Sequence, residues 1–280
     1  MGLDYETLHE KFPRLIWAQM RGYGQYGAMR NEPGYDAVCW GSRGGVNATF
    51  RQAGESPAIA PQGFGDFNAA AIFAGGIVAA LFNRERTGVG EKVTTNLYHV
   101  ALWGHSHGIQ SHQFGATYPC DRAAVRNPFN NTYQSRDGVW FLICLPDYNR
   151  YYNPMMKMLG LDEMVDDPRM STLAAIRENN LQEFVVSQME QGYAQKDYDE
   201  WDEIMMKQEV PHQKLFDYAD ILADEEAYDN DALRRYESKD FGPRVFNTTP
   251  IRFDSYDDPP LILGKPCGYH TEPVSYTHLR

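Results

Sequence analysis

The most informative part of the sequence is the run Pro61-Gln62-Gly63-Phe64-Gly65-Asp66-Phe67-Asn68-Ala69-Ala70-Ala71. Here a glycine-rich turn with one carboxylate, Asp66, leads into an apolar, proline-free run at 69–82 that ends in charged residues at 83–86. The pattern predicts a long helix with Asp66 at its N-terminus and Gly88 just past its C-terminus. A carboxylate at a helix N-terminus is favoured in its ionised form by the helix dipole and by unpaired backbone N–H groups.

Two interpretations of Asp66 stay open on spacing alone. An aspartate at the start of a helix commonly serves as the N-cap and has no chemical role. Alternatively, an ionised and accessible aspartate flanked by Gly63 and Gly65 is a candidate nucleophile, because glycine lets a substrate approach the backbone closely.

Composition sets the broad class. The chain has 280 residues, 42% of them hydrophobic and 23% charged, which indicates one large or two modest globular domains. A net charge of -12 argues against nucleic acid or an anionic membrane surface as a partner. The apolar run at 69–82 is too short to span a bilayer. Four scattered cysteines without a C-x-x-C pair predict reduced thiols in a cytoplasmic protein: Cys39, Cys120, Cys144 and Cys267.

Local patterns predict further elements. Strands are expected at 15–20 and 91–97, on either side of the long helix, and a β-hairpin is expected across 131–144 with its turn at Asp137-Gly138. Helical patterns follow at 148–159, 173–189 and 198–207. Strands are predicted again at 234–238, 244–247 and 250–253.

The segment 98–114 holds four histidines but does not predict a metal site. On a helix, metal ligands should lie three or four residues apart on one face, and no pair here does; no Cys, Asp or Glu lies between them. We expect one amphipathic helix whose polar or packing residues include His99, His105, His107 and His112.

The order of several motifs resembles the family III CoA-transferases. The resemblance rests on Pro33-Gly34-Tyr35-Asp36, then Gly65-Asp66 with its alanine-rich helix, then the Arg-Glu-Arg-Thr-Gly-Val-Gly run at 84–90. It continues at 250–253, 263–265 and 268–272. The resemblance implies an α/β fold with a Rossmann-like large domain, incomplete here, and a smaller α+β domain, and it implies interlocked homodimers.

The same resemblance implies a chemistry. It makes Asp66 the nucleophile that carries CoA between an acyl-CoA and a small carboxylic acid, with CoA as a substrate and no permanently bound cofactor. It places Tyr35 and Asp36 beside the substrate, along with Gly63, Gly65 and Asn68, and makes the backbone N–H groups of 65–68 candidates for stabilising an oxyanion. The run at 127–133 is similar to that of transferases acting on 2-hydroxy acids, whereas the family's glycine-rich loop has no counterpart at 118–131.

Two alternatives remain open. An α-methylacyl-CoA racemase shares the fold and the matched aspartate, but its family has a Gly-His-Asp run where this chain has Gly34-Tyr35-Asp36. A tyrosine of ordinary pKa, about 10, is a poor base at neutral pH, which favours the transferase. The other alternative is an inactive CoA-binding fragment.

The resemblance also predicts how the chain is divided. Residues 1–117 and 223–273 are expected to form the large domain, 118–222 the small domain, and 274–280 a sequencing-adapter artefact. Because the family's first strands and final helix have no match, we expect an internal fragment that lacks part of its CoA site.

Overall fold

The structure is a computed structural model that describes residues 2–238, 242–255, 264 and 267–269. It divides into two compact units, Met1–Gln213 and Lys214–Arg280. The three-part division expected from the sequence stays a prediction. The expected motifs at 263–265 and 268–272, and the artefact at 274–280, lie wholly or mostly outside the described residues.

The first unit begins with a parallel βαβ arrangement. Helix α1 (Tyr5–Lys11) is capped by Asp4, whose carboxylate accepts a bond from the backbone N–H of Thr7 at 2.8 Å. Strand β1 (Trp17–Arg21) pairs in parallel with β2 (Lys92–Asn96). A parallel pair needs a crossover connection, and the long helix lies within that connection. The predicted α/β class is therefore confirmed, and both strands lie within two residues of the expected bounds.

Three helices pack around the start of the long helix, α3 (Phe64–Thr87). They are a short helix with wide π-type turns (Ala37–Arg43), α2 (Val46–Thr49) and α4 (Leu97–Gly104). Their apolar side chains form one cluster of buried residues: Tyr23, Cys39, Trp40, Val46, Ala69, Leu97, Val100 and Ala101. This cluster fixes the N-terminus of α3 against the helix Ala37–Arg43.

Helix α3 begins two residues before the predicted start at Asp66 and has 24 residues. It ends at Thr87, and Gly88 just past it has a left-handed φ of 78°, as predicted for a C-cap. By length and composition alone, α3 is long and apolar enough to cross a membrane. The prediction that the run at 69–82 is too short to span a bilayer does not extend to the whole helix, because helical residues continue upstream to Phe64 and downstream to Thr87.

The histidine segment forms two helices, not the single helix expected. Helix α4 ends at Gly104 and α5 spans Ser106–Gln113. Between them the backbone of His105 leaves helical geometry, with φ -91° and ψ 5°, and its ring packs on Phe50 with the centroids 5.3 Å apart.

A second cluster in the first unit is built on the predicted hairpin. Strands β3 (Asn130–Gln134) and β4 (Trp140–Cys144) are antiparallel, and Gly138 has a left-handed φ of 83° in the turn between them. A short third strand, β5 (His212–Lys214), lies next to β4. Helices α6 (Tyr148–Met158), α7 (Leu173–Glu178), α8 (Gln182–Tyr193) and α9 (Tyr198–Lys207) complete the cluster. Its fully buried side chains include Tyr133, Phe141, Met189, Tyr193 and Trp201.

The single helix predicted at 173–189 is wrong, because the chain breaks between α7 and α8. Asn180 has a left-handed φ of 54°, and the backbone N–H of Leu181 donates to the Ile176 carbonyl at 2.8 Å. The amide of Asn179 donates to the carbonyls of Arg169 and Ala175. Asparagine tolerates the left-handed conformation, so this pair ends one helix where periodicity alone suggests continuity.

The second unit contains helices α10 (Tyr218–Ala223) and α11 (Glu225–Asp229) and the antiparallel pair β6 (Leu233–Ser238) and β7 (Gly242–Asn247). The two strands confirm the predictions at 234–238 and 244–247. The strand predicted at 250–253 is wrong, since residues 251–253 have no regular structure. There the guanidinium of Arg252 bonds to the Thr249 carbonyl at 2.7 Å and to the hydroxyl of Thr248, which holds the segment in a local turn.

Candidate active site at the start of helix α3

The N-terminus of α3 presents Asp66 to solvent. Gly63 is the N-cap residue, with a left-handed φ of 80°, so Asp66 is the third residue of the helix. The interpretation of Asp66 as the N-cap is therefore wrong, because the left-handed glycine starts the helix three residues earlier. The side chain of Asp66 is exposed and lies within the first turn, where the helix dipole favours a negative charge.

Asp36 lies against this first turn. It precedes the helix Ala37–Arg43, and its Oδ1 is buried without a hydrogen-bond partner among the described residues. A Cβ atom placed on Gly65 would fall 2.2 Å from Asp36 Oδ1 and 2.3 Å from Cγ of Trp40. Gly65 is thus needed for the close packing of Asp36 and Trp40 against the helix. Its role toward a substrate stays a prediction.

The electrostatics of the two carboxyl groups differ. Burial raises the pKa of Asp36, and the negative charge of Asp66 raises it further, while the nearby backbone N–H groups of Gly63 and Gly65 act in the opposite direction. When a carboxyl group of raised pKa lies beside an exposed carboxylate, the two groups lose their protons at different pH. One can then hold a proton while the other is charged. The sequence predicted both Asp36 and Asp66 as site residues, but it did not predict that their carboxyl groups interact.

The layer beneath Asp36 is tightly packed. The Cys39 thiol is fully buried, and burial raises its pKa. A hydrogen bond with Cys39, and then burial, raise the pKa of Tyr23. Cys39 is therefore a neutral packing residue here rather than a reactive thiol, which agrees with the reduced state expected for it.

The other predicted site residues lie at the surface. Tyr35 is 77% exposed. Asn68 is exposed, and its amide donates to the Phe64 carbonyl at 2.7 Å, one turn back in the helix. The structure thus brings Asp36, Gly63, Gly65 and Asp66 together, and places Tyr35 and Asn68 on the solvent side of the same region. Their roles toward a substrate stay predictions.

An apolar cavity of about 310 Å³ lies beside the first turn of α3. Asn47 supports its wall, because Asn47 Oδ1 accepts a bond from the backbone N–H of Ala60 at 3.1 Å. The sequence analysis did not identify this cavity, since its walls come from segments that only the fold brings together. The lining residues are Trp40, Val46, Asn47, Phe50, Ala58, Ile59, Ala60, Pro61 and Phe64.

His105 is the histidine nearest this cavity. Its ring packs on Phe50, its Nε2 is buried without a hydrogen-bond partner among the described residues, and burial lowers its pKa. Within the described part of the chain, no group of three or more His, Cys, Asp or Glu side chains could hold a metal ion.

Comparisons with known proteins show the family to which the chain belongs. The family described as "CoA-transferase family III" matches residues 1–271, and the chain belongs to that family. It is 36% identical over 255 residues to the cinnamoyl-CoA:phenyllactate CoA-transferase of Clostridium sporogenes, covering 90% of this chain and 62% of the relative. It is 32% identical over 276 residues to the (R)-2-hydroxy-4-methylpentanoate CoA-transferase of Clostridioides difficile, covering 98% and 68%. The chain thus spans somewhat under two thirds of the first of these relatives.

Solved structures share the fold. Rv3272 from Mycobacterium tuberculosis superposes with a TM-score of 0.74 at 22% identity, covering 91% of this chain and 67% of that protein. A CAIB/BAIF family protein from Brucella suis superposes with a TM-score of 0.73 at 22% identity, covering 99% and 71%. These similarities confirm the α/β fold class.

Proposed function

We propose that this protein is a CoA-transferase that moves CoA between an acyl-CoA and a small carboxylic acid through Asp66. The observation that carries the proposal is an exposed aspartate in the first turn of α3, with a second, partly buried carboxyl against that turn, in a chain of this family. The names of the two relatives, which specify phenyllactate and 2-hydroxy-4-methylpentanoate, favour a 2-hydroxy acid as the acid substrate.

The chemistry proceeds through two covalent intermediates. An oxygen of the Asp66 carboxylate attacks the thioester carbonyl carbon of the acyl-CoA, the carbon–sulfur bond breaks, and CoA leaves as a thiolate. The product is a mixed anhydride. The thiolate then attacks the aspartyl carbonyl, which releases the donor acid as a carboxylate and leaves an aspartyl-CoA thioester. The acceptor carboxylate repeats these steps in reverse. Each intermediate keeps the activation of the thioester, so water must be excluded from both.

Asp36 contributes to this chemistry as the neighbouring carboxyl group. Its raised pKa lets it hold a proton to higher pH than an exposed aspartate does, and in the protonated form it adds no second negative charge beside the Asp66 carboxylate. Fewer backbone N–H groups are available to stabilise an oxyanion than the sequence analysis expected, because the N–H of Phe67 already donates to the Gly63 carbonyl at 2.9 Å. The N–H of Gly65 interacts with the Asp36 carboxylate, so the N–H of Asp66, in the first helical turn, is the better candidate.

A racemase is the second candidate. The chain is 25% identical over 301 residues to the human alpha-methylacyl-CoA racemase, and the Asp36–Asp66 pair offers an acid and a base at one place. The tyrosine at position 35, where the racemase family has the histidine of its Gly-His-Asp run, disfavours this function. An inactive CoA-binding fragment is the third possibility.

The assembly and location are part of the proposal. We infer a homodimer, as in the family resemblance, and the exposed apolar residues of α3 support it, since they need a protein partner in water: Phe64, Phe67, Ile72, Val78 and Phe82. We place the protein in the cytoplasm without a nucleic-acid or membrane partner, with CoA as a substrate and no permanently bound cofactor.

A label-exchange assay distinguishes the candidate functions. The 280-residue chain is incubated with an acyl-CoA, an isotopically labelled 2-hydroxy acid and deuterated water. A transferase gives labelled 2-hydroxyacyl-CoA without deuterium at Cα. Deuterium at Cα without any exchange of acids would establish the racemase instead. CoA binding with neither product would establish the inactive fragment.

A further inference from the structure

We propose that a cavity between the start of β3 and the helices α7 and α8 is a binding site for a phosphate group. The cavity has a volume of about 300 Å³ and is lined by Arg126, Asn127, Leu173, Ala174, Arg177 and Gln182. Two arginines thus line one cavity, and no carboxylate is among its lining residues. This site is separate from Asp66 and does not depend on the proposed transferase activity.

The two arginines are unpaired within the described part of the chain. The side chains of Arg126 and Arg177 form no hydrogen bond or ion pair with any described residue. Two other exposed arginines of this unit are held by carboxylates: Arg136 by Asp197 at 2.8 Å, and Arg169 by Asp167 at 2.6 Å. In a chain of net charge -12, two arginines that share a cavity without an acidic partner are unusual.

The backbone around both arginines is fixed. Next to Arg126, the amide of Asn127 donates to the Leu145 carbonyl at 3.1 Å, and its Oδ1 accepts from the Phe129 N–H at 2.9 Å. Arg177 follows the fully buried Ile176 on α7, and this helix is capped by Thr172. The two guanidinium groups therefore project from anchored positions, which lowers the entropy cost of holding a ligand between them.

The chemistry of the lining selects the ligand. Two like charges in one cavity repel each other, and an anion between them removes that repulsion. A guanidinium presents parallel N–H donors that match the oxygen atoms of a phosphate, and a phosphate has enough oxygens to accept from both arginines and from the amide of Gln182. The phosphate is either part of CoA, which carries a 3′-phosphate and a pyrophosphate, or part of a separate phosphorylated ligand.

Calorimetry with inorganic phosphate tests the site in the 280-residue chain. The double variant Arg126→Gln, Arg177→Gln should bind phosphate at least about tenfold more weakly than wild type, since two charge-assisted contacts are lost. The matched control is the double variant Arg30→Gln, Arg86→Gln, which removes the same two positive charges at exposed arginines that do not line the cavity. It should bind phosphate as wild type does. Equal phosphate binding by wild type and double variant, or equal weakening by the control, overturns the proposal.

CoA and dephospho-CoA identify the source of the phosphate. Weaker binding of CoA, but not of dephospho-CoA, by the double variant assigns the site to the 3′-phosphate. Equal weakening of both assigns it to the pyrophosphate. Unchanged binding of both, with inorganic phosphate binding lost, assigns the site to a separate phosphorylated ligand.

Discussion

Asp36 and Asp66 are two carboxyl groups in different surroundings, and the difference comes from packing rather than from local sequence. Asp66 is exposed in a helical turn, whereas Asp36 has a buried oxygen that contacts the first turn of α3. The sequence gives both residues as candidates through their motifs. It cannot show that the buried Oδ1 of Asp36 lies against Gly65, the residue before Asp66. Asp36 and Asp66 are separated by 29 intervening residues, and only the fold determines the path of those residues.

The raised pKa of Asp36 predicts a pH dependence of stability. In the unfolded chain this carboxyl titrates near 3.8, and in the folded protein it titrates at higher pH. The folded state is therefore favoured while the group is protonated, and its stability falls as pH rises from about 3.8 through the folded pKa. Asp36→Asn removes this titration, so the variant should be more stable than wild type at pH 7 and closer to wild type at pH 4.

Thermal unfolding of wild type and Asp36→Asn between pH 4 and 7 measures this effect. Asp66→Asn serves as the control, since its carboxyl is exposed and should leave most of the pH dependence in place. A wild type and an Asp36→Asn variant with parallel stability profiles across this range would show that Asp36 is ionised without penalty.

At the level of a single helix, two glycines of α3, Gly65 and Gly75, have different surroundings and can be compared. A Cβ on Gly65 would overlap Asp36 and the Trp40 ring, whereas a Cβ on Gly75 meets no atom within 4 Å. Gly65→Ala should lower the free energy of unfolding by about 1–3 kcal/mol through overpacking. Gly75→Ala should raise it by about 1 kcal/mol, because alanine has the higher helix propensity. Urea unfolding measures both, and equal effects of the two substitutions would contradict the tight contact at Gly65.

Elements were predictable where a local residue dictates the geometry. Gly88 ends α3 and Asp137-Gly138 turns the hairpin because glycine adopts left-handed backbone freely. The breaks at His105 and Asn180 were missed, since apolar periodicity continues through both positions. The N-terminus of α3 was placed two residues too late, at Asp66, because the left-handed Gly63 was not identified as the N-cap.

At the scale of the whole molecule, the exposed apolar side chains of α3 bear on assembly. Val78 and Phe82 lie one turn apart on the helix and are 63% and 66% exposed. If this surface lies in a homodimer interface, replacing both by glutamate should convert the dimer to a monomer, because charges are poorly tolerated in the core of an interface.

Sedimentation velocity measures this change. The control is Phe114→Glu, an equally apolar and exposed position outside α3, which should leave the dimer intact. A wild-type chain that sediments as a monomer, or a double variant that stays dimeric, contradicts this use of α3.

The chain's family and fold do not by themselves establish that Asp66 is the nucleophile. The most direct measurement compares CoA transfer by wild type, Asp66→Asn and Asp66→Ala, with hydroxylamine used to trap the aspartyl intermediate. Both variants should lose transfer by a factor on the order of 10⁴ to 10⁶, as expected on removal of a nucleophile. Only the wild type should yield a hydroxamate at residue 66. Because Asp66 is not the N-cap, the two variants should unfold alike, each losing at most about 1 kcal/mol of dipole stabilisation. A folded Asp66→Asn that keeps more than a few per cent of wild-type transfer would contradict the assignment of this site.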